Sequence, residues 1–146
     1  MRKIVKYPLL LLLFYSLILI RAYGEQLFYD PFIVFFKNDY LYSAIPEFEF
    51  VKLIYNIFVR YVLNSLISLG IIYIVFEKLN YLLLSIKLYI LGFAILIIAY
   101  SILLGMGFEK GYLLPFYIRR FLIHPLFLLV LLAALYYDKL AGGQSR

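Results

Sequence analysis

The chain contains 146 residues, of which 66% are hydrophobic, well above the roughly 45–50% of ordinary soluble domains. This composition excludes a soluble globular fold and predicts an all-α polytopic membrane protein, because a helix satisfies its own backbone hydrogen bonds in lipid. The chain has no cysteine, and its net charge of +6 is spread among apolar segments. These features exclude disulfides and thiolate metal sites and argue against nucleic-acid binding.

The first apolar run covers residues 4–20, with Arg2, Lys3 and Lys6 at its start and Arg21 directly after it. About 17 helical residues are near the lower limit for crossing a hydrocarbon core of roughly 30 Å, so this helix would have little tilt. We expect a membrane anchor that is retained. The alternative is a secretory signal peptide cleaved before Glu25, since Ala22 and Gly24 are small residues at the positions that cleavage requires.

Residues 21–50 form the first outer loop in this interpretation, and this loop is rich in acidic and aromatic residues. Its acidic residues are Glu25, Asp30, Asp39, Glu47 and Glu49. Asp30 followed by Pro31 is a typical helix start. Four phenylalanines then share one face of a helix, and they are Phe28, Phe32, Phe35 and Phe36. We expect a short helix in the membrane interface that buries this face; the alternative is a simple aromatic belt that anchors the loop.

Two long apolar runs follow the loop, at residues 51–76 and 81–104. Each is long enough to cross the membrane as a helix. Only four residues separate the two runs, and so short a link predicts an antiparallel helical hairpin.

A fourth apolar run ends at Tyr137, and its start is ambiguous. A start at Leu113 places two arginines inside the helix, whereas a start at Phe121 leaves them outside. We take residues 113–137 as the fourth span, with a kink at Pro125, because proline cannot donate a backbone hydrogen bond. The polar residues 142–146 are expected to form a disordered tail, which leaves residues 1–141 as a single transmembrane domain.

The distribution of basic residues indicates the orientation of the spans. With the amino terminus inside, the outer side carries Arg21, Lys37, Lys52 and Lys110, and the cytoplasmic side carries six basic residues, namely Arg2, Lys3, Lys6, Lys78, Lys139 and Arg146. This excess on the cytoplasmic side favours that orientation. We therefore expect a multi-pass protein of the bacterial inner (cytoplasmic) membrane, with four transmembrane helices and both termini in the cytoplasm.

Polar residues recur every four positions in the second span, at Asn56, Arg60, Asn64 and Ser68. This spacing predicts one slowly drifting stripe on a helix, which must face protein or water and not lipid. An arginine deep in a membrane is a candidate binding residue, whereas asparagine and serine also serve to pack helices together. Both interpretations of the stripe remain open.

A second polar constellation consists of Arg119, Arg120 and His124 in the fourth span, at a depth similar to that of Arg60. Three guanidinium groups in one half of the membrane need anionic partners. Glu47 and Glu49 are the candidates within the chain. The alternative is an external anion, such as a lipid phosphate or a peptide carboxylate, which arginine can bind with two hydrogen bonds.

The sequence contains no recognisable catalytic constellation. One histidine and no cysteine leave too few ligands for a metal site. The serines lack a nucleophile motif, and no zinc-protease motif occurs. We therefore expect a protein that is not an enzyme and that uses no metal or cofactor.

Residues 116–127, which read FYIRRFLIHPLF, resemble the exosortase F system-associated proteins, small membrane proteins of Bacteroidota. The resemblance extends to LFYDPF at residues 27–32, PEF at residues 46–48 and RYVLN at residues 60–64. The motifs lie in the same order and at similar spacing over most of the chain.

This resemblance implies an accessory protein encoded beside an exosortase, a membrane enzyme that processes the carboxy-terminal sorting tails of exported proteins. No catalytic residue is implied. We expect a non-enzymatic integral membrane protein that binds the sortase or its substrate tail through the outer loop and the arginine cluster. The alternatives are a small transporter or anionic-lipid-binding protein that uses Asn56, Arg60 and Arg119, and an assembly scaffold without a ligand.

Overall fold

A computed structural model describes residues 2–27, 48–107, 113–123 and 126–144 of the chain. Within these ranges every regular element is an α-helix. The helices are α1 (Lys3–Ala22), α2 (Gly24–Leu27), α3 (Phe50–Phe76), α4 (Leu79–Gly105), α5 (Leu113–Ile123) and α6 (Leu126–Gln144). The predicted interfacial helix, with Phe28, Phe32, Phe35 and Phe36, lies outside the described residues, as do Glu47 and His124.

Three of these helices, α1, α3 and α4, are long and apolar enough to cross a membrane. Their ends lie within two residues of the first three predicted spans, so the prediction of these helices is confirmed. The two longer helices, α3 and α4, have 27 residues each. At 1.5 Å per residue each is about 40 Å long, which exceeds the roughly 30 Å hydrocarbon core and allows tilt.

The fourth predicted span is not a single kinked helix. It consists of α5 and α6, which meet at an angle of 72° across a break of two residues. Pro125 lies in this break; a proline removes a backbone donor and clashes with the preceding turn, and it also disfavours helical geometry in the residue before it. The two helices make a fourth crossing only if the bent pair spans the membrane as one unit. Of the two possible starts, the structure has the one at Leu113.

The predicted disordered tail is also partly wrong. Helix α6 continues through Gly142 and Gly143 and ends at Gln144. A glycine weakens a helix by about 1 kcal/mol relative to alanine but does not block it, as a proline would. Only residues 145–146 of the predicted tail lie outside the described part of the chain, and for these two residues disorder stays a prediction.

Helix α3 is the central helix of the bundle. Half of its most apolar segment is buried (50%), compared with 6% in α1 and 11% in α4. It is antiparallel to α1, because Lys6 at the start of α1 forms an ion pair of 3.2 Å with Glu77 at the end of α3. Near the middle of the two helices, Leu13 packs close to Gly70.

Helices α3 and α4 form the predicted antiparallel hairpin. The rings of Phe76 and Tyr81 pack edge to face on either side of the link, with centroids 5.4 Å apart. Further along, the Tyr61 hydroxyl donates a 2.6 Å hydrogen bond to the main-chain carbonyl oxygen of Tyr89. Glu77, in the link, adopts a left-handed conformation with φ 52°, which ends α3 abruptly.

Helix α6 lies against α4 and runs antiparallel to it. The Tyr81 hydroxyl near the start of α4 donates a 2.8 Å hydrogen bond to Asp138 Oδ2 near the end of α6. Towards the other end, the ring of Phe127 packs against Gly92, where an added Cβ would lie only 2.9 Å from Cζ of the ring. Because α4 is antiparallel to both α3 and α6, the latter two run in the same direction.

Candidate functional site

The predicted polar stripe of α3 faces the interior of the bundle over most of its length. Arg60, Asn64 and Ser68 are buried, and Arg60 is only 3% exposed. Asn56, one turn earlier, is half-buried, and its side-chain amide donates a 2.8 Å hydrogen bond to the carbonyl oxygen of Lys52 in its own helix. From Arg60 onwards the polar stripe therefore lies inside the bundle, as expected because polar side chains are costly to expose to lipid.

The guanidinium group of Arg60 packs directly on Gly24, the first residue of α2. An added Cβ at Gly24 would lie 2.7 Å from Cζ of Arg60 and closer still to Nη2. Any larger residue at position 24 would therefore displace the arginine head, and glycine is the residue that permits this approach. The sequence drew attention to Gly24 only as a small residue near a cleavage site and carried no signal for this contact.

Asn64 connects α3 to the end of α5. Its side-chain amide donates a 3.0 Å hydrogen bond to the main-chain carbonyl oxygen of Ile123. One turn further along α3, the Ser68 hydroxyl donates a 2.6 Å hydrogen bond to the carbonyl oxygen of Asn64. The Asn64 bond is the packing role that asparagine performs between membrane helices, whereas the Ser68 bond lies within α3. Ile123 has an apolar side chain, so its part in the site could not be inferred from the sequence.

The two successive arginines of α5 point in different directions. Arg119 is buried, whereas Arg120 is exposed and lies with Cζ 5.8 Å from the centre of the Phe116 ring. Neighbouring residues are about 100° apart around a helix, and this rotation places Arg120 on the exposed face next to the buried Arg119. The predicted arginine constellation is thus divided between the core and the surface.

Arg119 and Arg60 lie at the same end of the bundle. Arg60 lies one helical turn before Asn64, and Arg119 lies one helical turn before Ile123. A hydrogen bond joins Asn64 to Ile123. Together with Gly24, these residues form what we term the arginine layer: Gly24, Arg60, Asn64, Arg119 and Ile123. This layer joins α2, α3 and α5, which belong to segments far apart in the sequence.

Of the acidic residues proposed as partners of the arginines, Glu49 is exposed just before α3. Glu47 and His124 lie outside the described residues, so their relation to the arginine layer stays a prediction. Among the described residues, no group of three histidine, cysteine or carboxylate side chains could hold a metal ion. The buried arginine and amide groups are hydrogen-bond donors, and their chemistry suits helix packing or an anion.

Comparisons with known proteins give no match for this chain among protein-family models, curated proteins or solved structures.

Proposed function

We propose that this protein is a non-enzymatic integral membrane accessory of an exosortase-type protein-sorting system, and that it binds the sortase or its substrate tail. The proposal rests first on the resemblance carried by residues 27–32, 46–48, 60–64 and 116–127. It is an accessory role because the chain has no cysteine, the nucleophile expected of such a sortase.

The observation that carries the proposal is the contact between Arg60 and Gly24. The described part of the acidic outer loop (residues 21–50) stops at Leu27, three residues after Gly24, and resumes at Phe48, which packs against the hydrophobic core. Both described ends of the loop are therefore held on the helical bundle, one of them at the arginine layer. A loop held at both ends can present its carboxylates to a partner at lower cost in conformational entropy.

The exposed face of α4 supports an association within the membrane. Large apolar side chains are exposed along most of the length of this face, namely Leu83, Leu84, Leu88, Ile90, Leu91, Ile95, Ile98 and Ile102. Lipid or a helix of another membrane protein would cover such a surface. In our proposal the loop binds the partner at the membrane surface, and α4 offers it an apolar flank.

The proposal includes an orientation. The amino terminus lies in the cytoplasm, the bent pair of α5 and α6 provides the fourth crossing, and the carboxy terminus returns to the cytoplasm. The loop with its interfacial helix then faces outward from the inner membrane. The excess of basic residues in the cytoplasmic segments supports this arrangement.

Co-purification from native membranes tests the function. The tagged full-length protein should recover the neighbouring exosortase or its substrate, and the variant with Glu47→Gln and Glu49→Gln together should recover at least tenfold less. Asp138→Asn is the matched control, because it neutralises a carboxylate at the opposite end while keeping the acceptor for Tyr81.

Two results would contradict the proposal in different ways. If the unaltered protein recovers neither the sortase nor a sorting substrate, the accessory function is wrong. If the double glutamate variant recovers them as well as the control does, the accessory function stands but the loop is not the contact surface.

A further inference from the structure

A groove separates α1 from α6 on the surface of the bundle, at the end that carries the arginine layer. Its volume is about 230 Å³. Six of its lining residues are apolar, and they come from both helices: Phe14, Leu17, Ile18, Leu126, Leu128 and Leu129. The two other lining residues are Arg21 at the end of α1 and Arg120 of α5. The groove thus combines an apolar wall with two positive charges.

We propose that this α1–α6 groove binds an anionic phospholipid, with the phosphate held by Arg21 and Arg120 and one acyl chain lying along the apolar wall. The proposal concerns a ligand and a residue, Arg21, that the proposed accessory function does not use. It therefore stands independently of that function.

The charges of the groove favour an anionic ligand. Both arginine side chains are exposed, and both line the groove. Two cations that line one groove repel each other, so an anion between them is stabilising. Arg120 also rests against the Phe116 ring, which limits where its guanidinium group can point. Guanidinium groups bind phosphate through paired hydrogen bonds.

The apolar wall of the groove favours an acyl chain over a peptide helix. A helix with its side chains is about 10 Å across, much wider than a hydrocarbon chain. The lipid around the bundle supplies such chains at this surface. A single hydrocarbon chain is narrow enough to lie between α1 and α6. Ile18 and Phe14 lie one and two turns before Arg21 in α1, which places the apolar wall beside the charged end.

Thermal unfolding of the full-length protein in detergent tests the proposal. Added palmitoyl-oleoyl phosphatidylglycerol should raise the unfolding temperature, because a ligand that binds only the folded state stabilises it by mass action. Palmitoyl-oleoyl phosphatidylcholine has the same acyl chains without net charge and should raise it less. The variant with Arg21→Gln and Arg120→Gln should bind phosphatidylglycerol roughly tenfold or more weakly, since each arginine makes charge-assisted hydrogen bonds.

Two further variants separate the binding site from general charge effects. Lys52→Gln removes an exposed positive charge near the start of α3, outside the groove, and should keep the full response to phosphatidylglycerol. Ile18→Trp fills the groove without changing any charge and should weaken binding several-fold. Ile18 is 61% exposed, so the larger side chain is compatible with folding.

The proposal is overturned if phosphatidylcholine stabilises the protein as much as phosphatidylglycerol does, or if the double arginine variant keeps the full response. It is also overturned if inorganic phosphate alone gives the same stabilisation, since no acyl chain is then involved. A stronger response to an apolar peptide with a free terminal carboxylate would identify a peptide as the ligand and exclude the lipid.

Discussion

The side-chain amide of Asn64 donates a 3.0 Å hydrogen bond to the main-chain carbonyl oxygen of Ile123, at the point where α5 ends. A carbonyl at the end of a helix has no partner within that helix and must find one elsewhere. In an apolar surrounding, the amide of Asn64 supplies it. The bond therefore holds the broken fourth segment against the central helix, next to the 72° bend.

Replacement of this amide should destabilise the bundle. We expect Asn64→Ala to lower the free energy of unfolding by about 1–2 kcal/mol, because it removes an interhelical bond and leaves a buried carbonyl without its donor. Unfolding in detergent micelles measures the difference. Asn80→Ala is the matched control, since Asn80 is exposed at the start of α4, and it should change stability by no more than about 0.5 kcal/mol. Equal losses in the two variants would show that the bond to Ile123 contributes nothing.

The close approach of Arg60 to Gly24 predicts a position-specific effect of a single methyl group. We expect Gly24→Ala to destabilise the protein by about 1–3 kcal/mol, because the buried guanidinium group must move to make room for the new Cβ. At Gly105 an added Cβ would meet nothing within 4 Å. Gly105→Ala should therefore leave stability unchanged or raise it by up to about 1 kcal/mol. A stability unchanged by Gly24→Ala would mean that Arg60 does not pack on that residue.

The ion pair between Lys6 and Glu77 predicts a dependence of stability on pH. The hydrogen bond and the positive charge of Lys6 hold the pKa of Glu77 below its usual value of 4.5. Because the folded pKa is the lower one, the contribution to stability is fully present above pH 4.5 and is lost as the pH falls through the folded pKa.

Comparison of the protein with its Glu77→Gln variant measures this contribution. Both carry the same left-handed backbone at position 77, so only the charge differs. The unaltered protein should unfold at a slightly higher temperature at neutral pH, and the difference should shrink below pH 4.5. It should also shrink in 1 M salt, since both side chains are partly exposed. A difference that persists in acid would have another origin.

Cysteine labelling tests the proposed orientation. The chain has no cysteine, so each one introduced is unique. Glu49 and Asn80 are exposed at opposite ends of α3 and its hairpin. In spheroplasts, a membrane-impermeant maleimide should label Glu49→Cys at least several-fold more than Asn80→Cys, and lysis should remove the difference. The reverse preference would place the amino terminus outside.

The positions of the three long helices were predictable because each depends on local sequence. An apolar run of about 20 residues or more can satisfy its backbone in lipid only as a helix, so its ends follow from where polar residues begin. The hairpin of α3 and α4 followed from the short link around Glu77. The inward direction of Arg60, Asn64 and Ser68 followed from the cost of exposing polar groups to lipid. None of these inferences requires knowledge of the neighbouring helices.

The contacts of the candidate site depended on tertiary structure. Asn64 and Ile123 are 59 residues apart, and neither their pairing nor the contact of Arg60 with Gly24 follows from any local pattern. The sequence likewise treated Arg119 and Arg120 as one cluster, whereas the packing of α5 buried the first and left the second exposed in a groove against α1. Periodicity determines which residues share a face of a helix. The packing of α5 against α3 and α4 decided which arginine faces the protein, because the side of α5 that meets these two helices is set by contacts between distant segments.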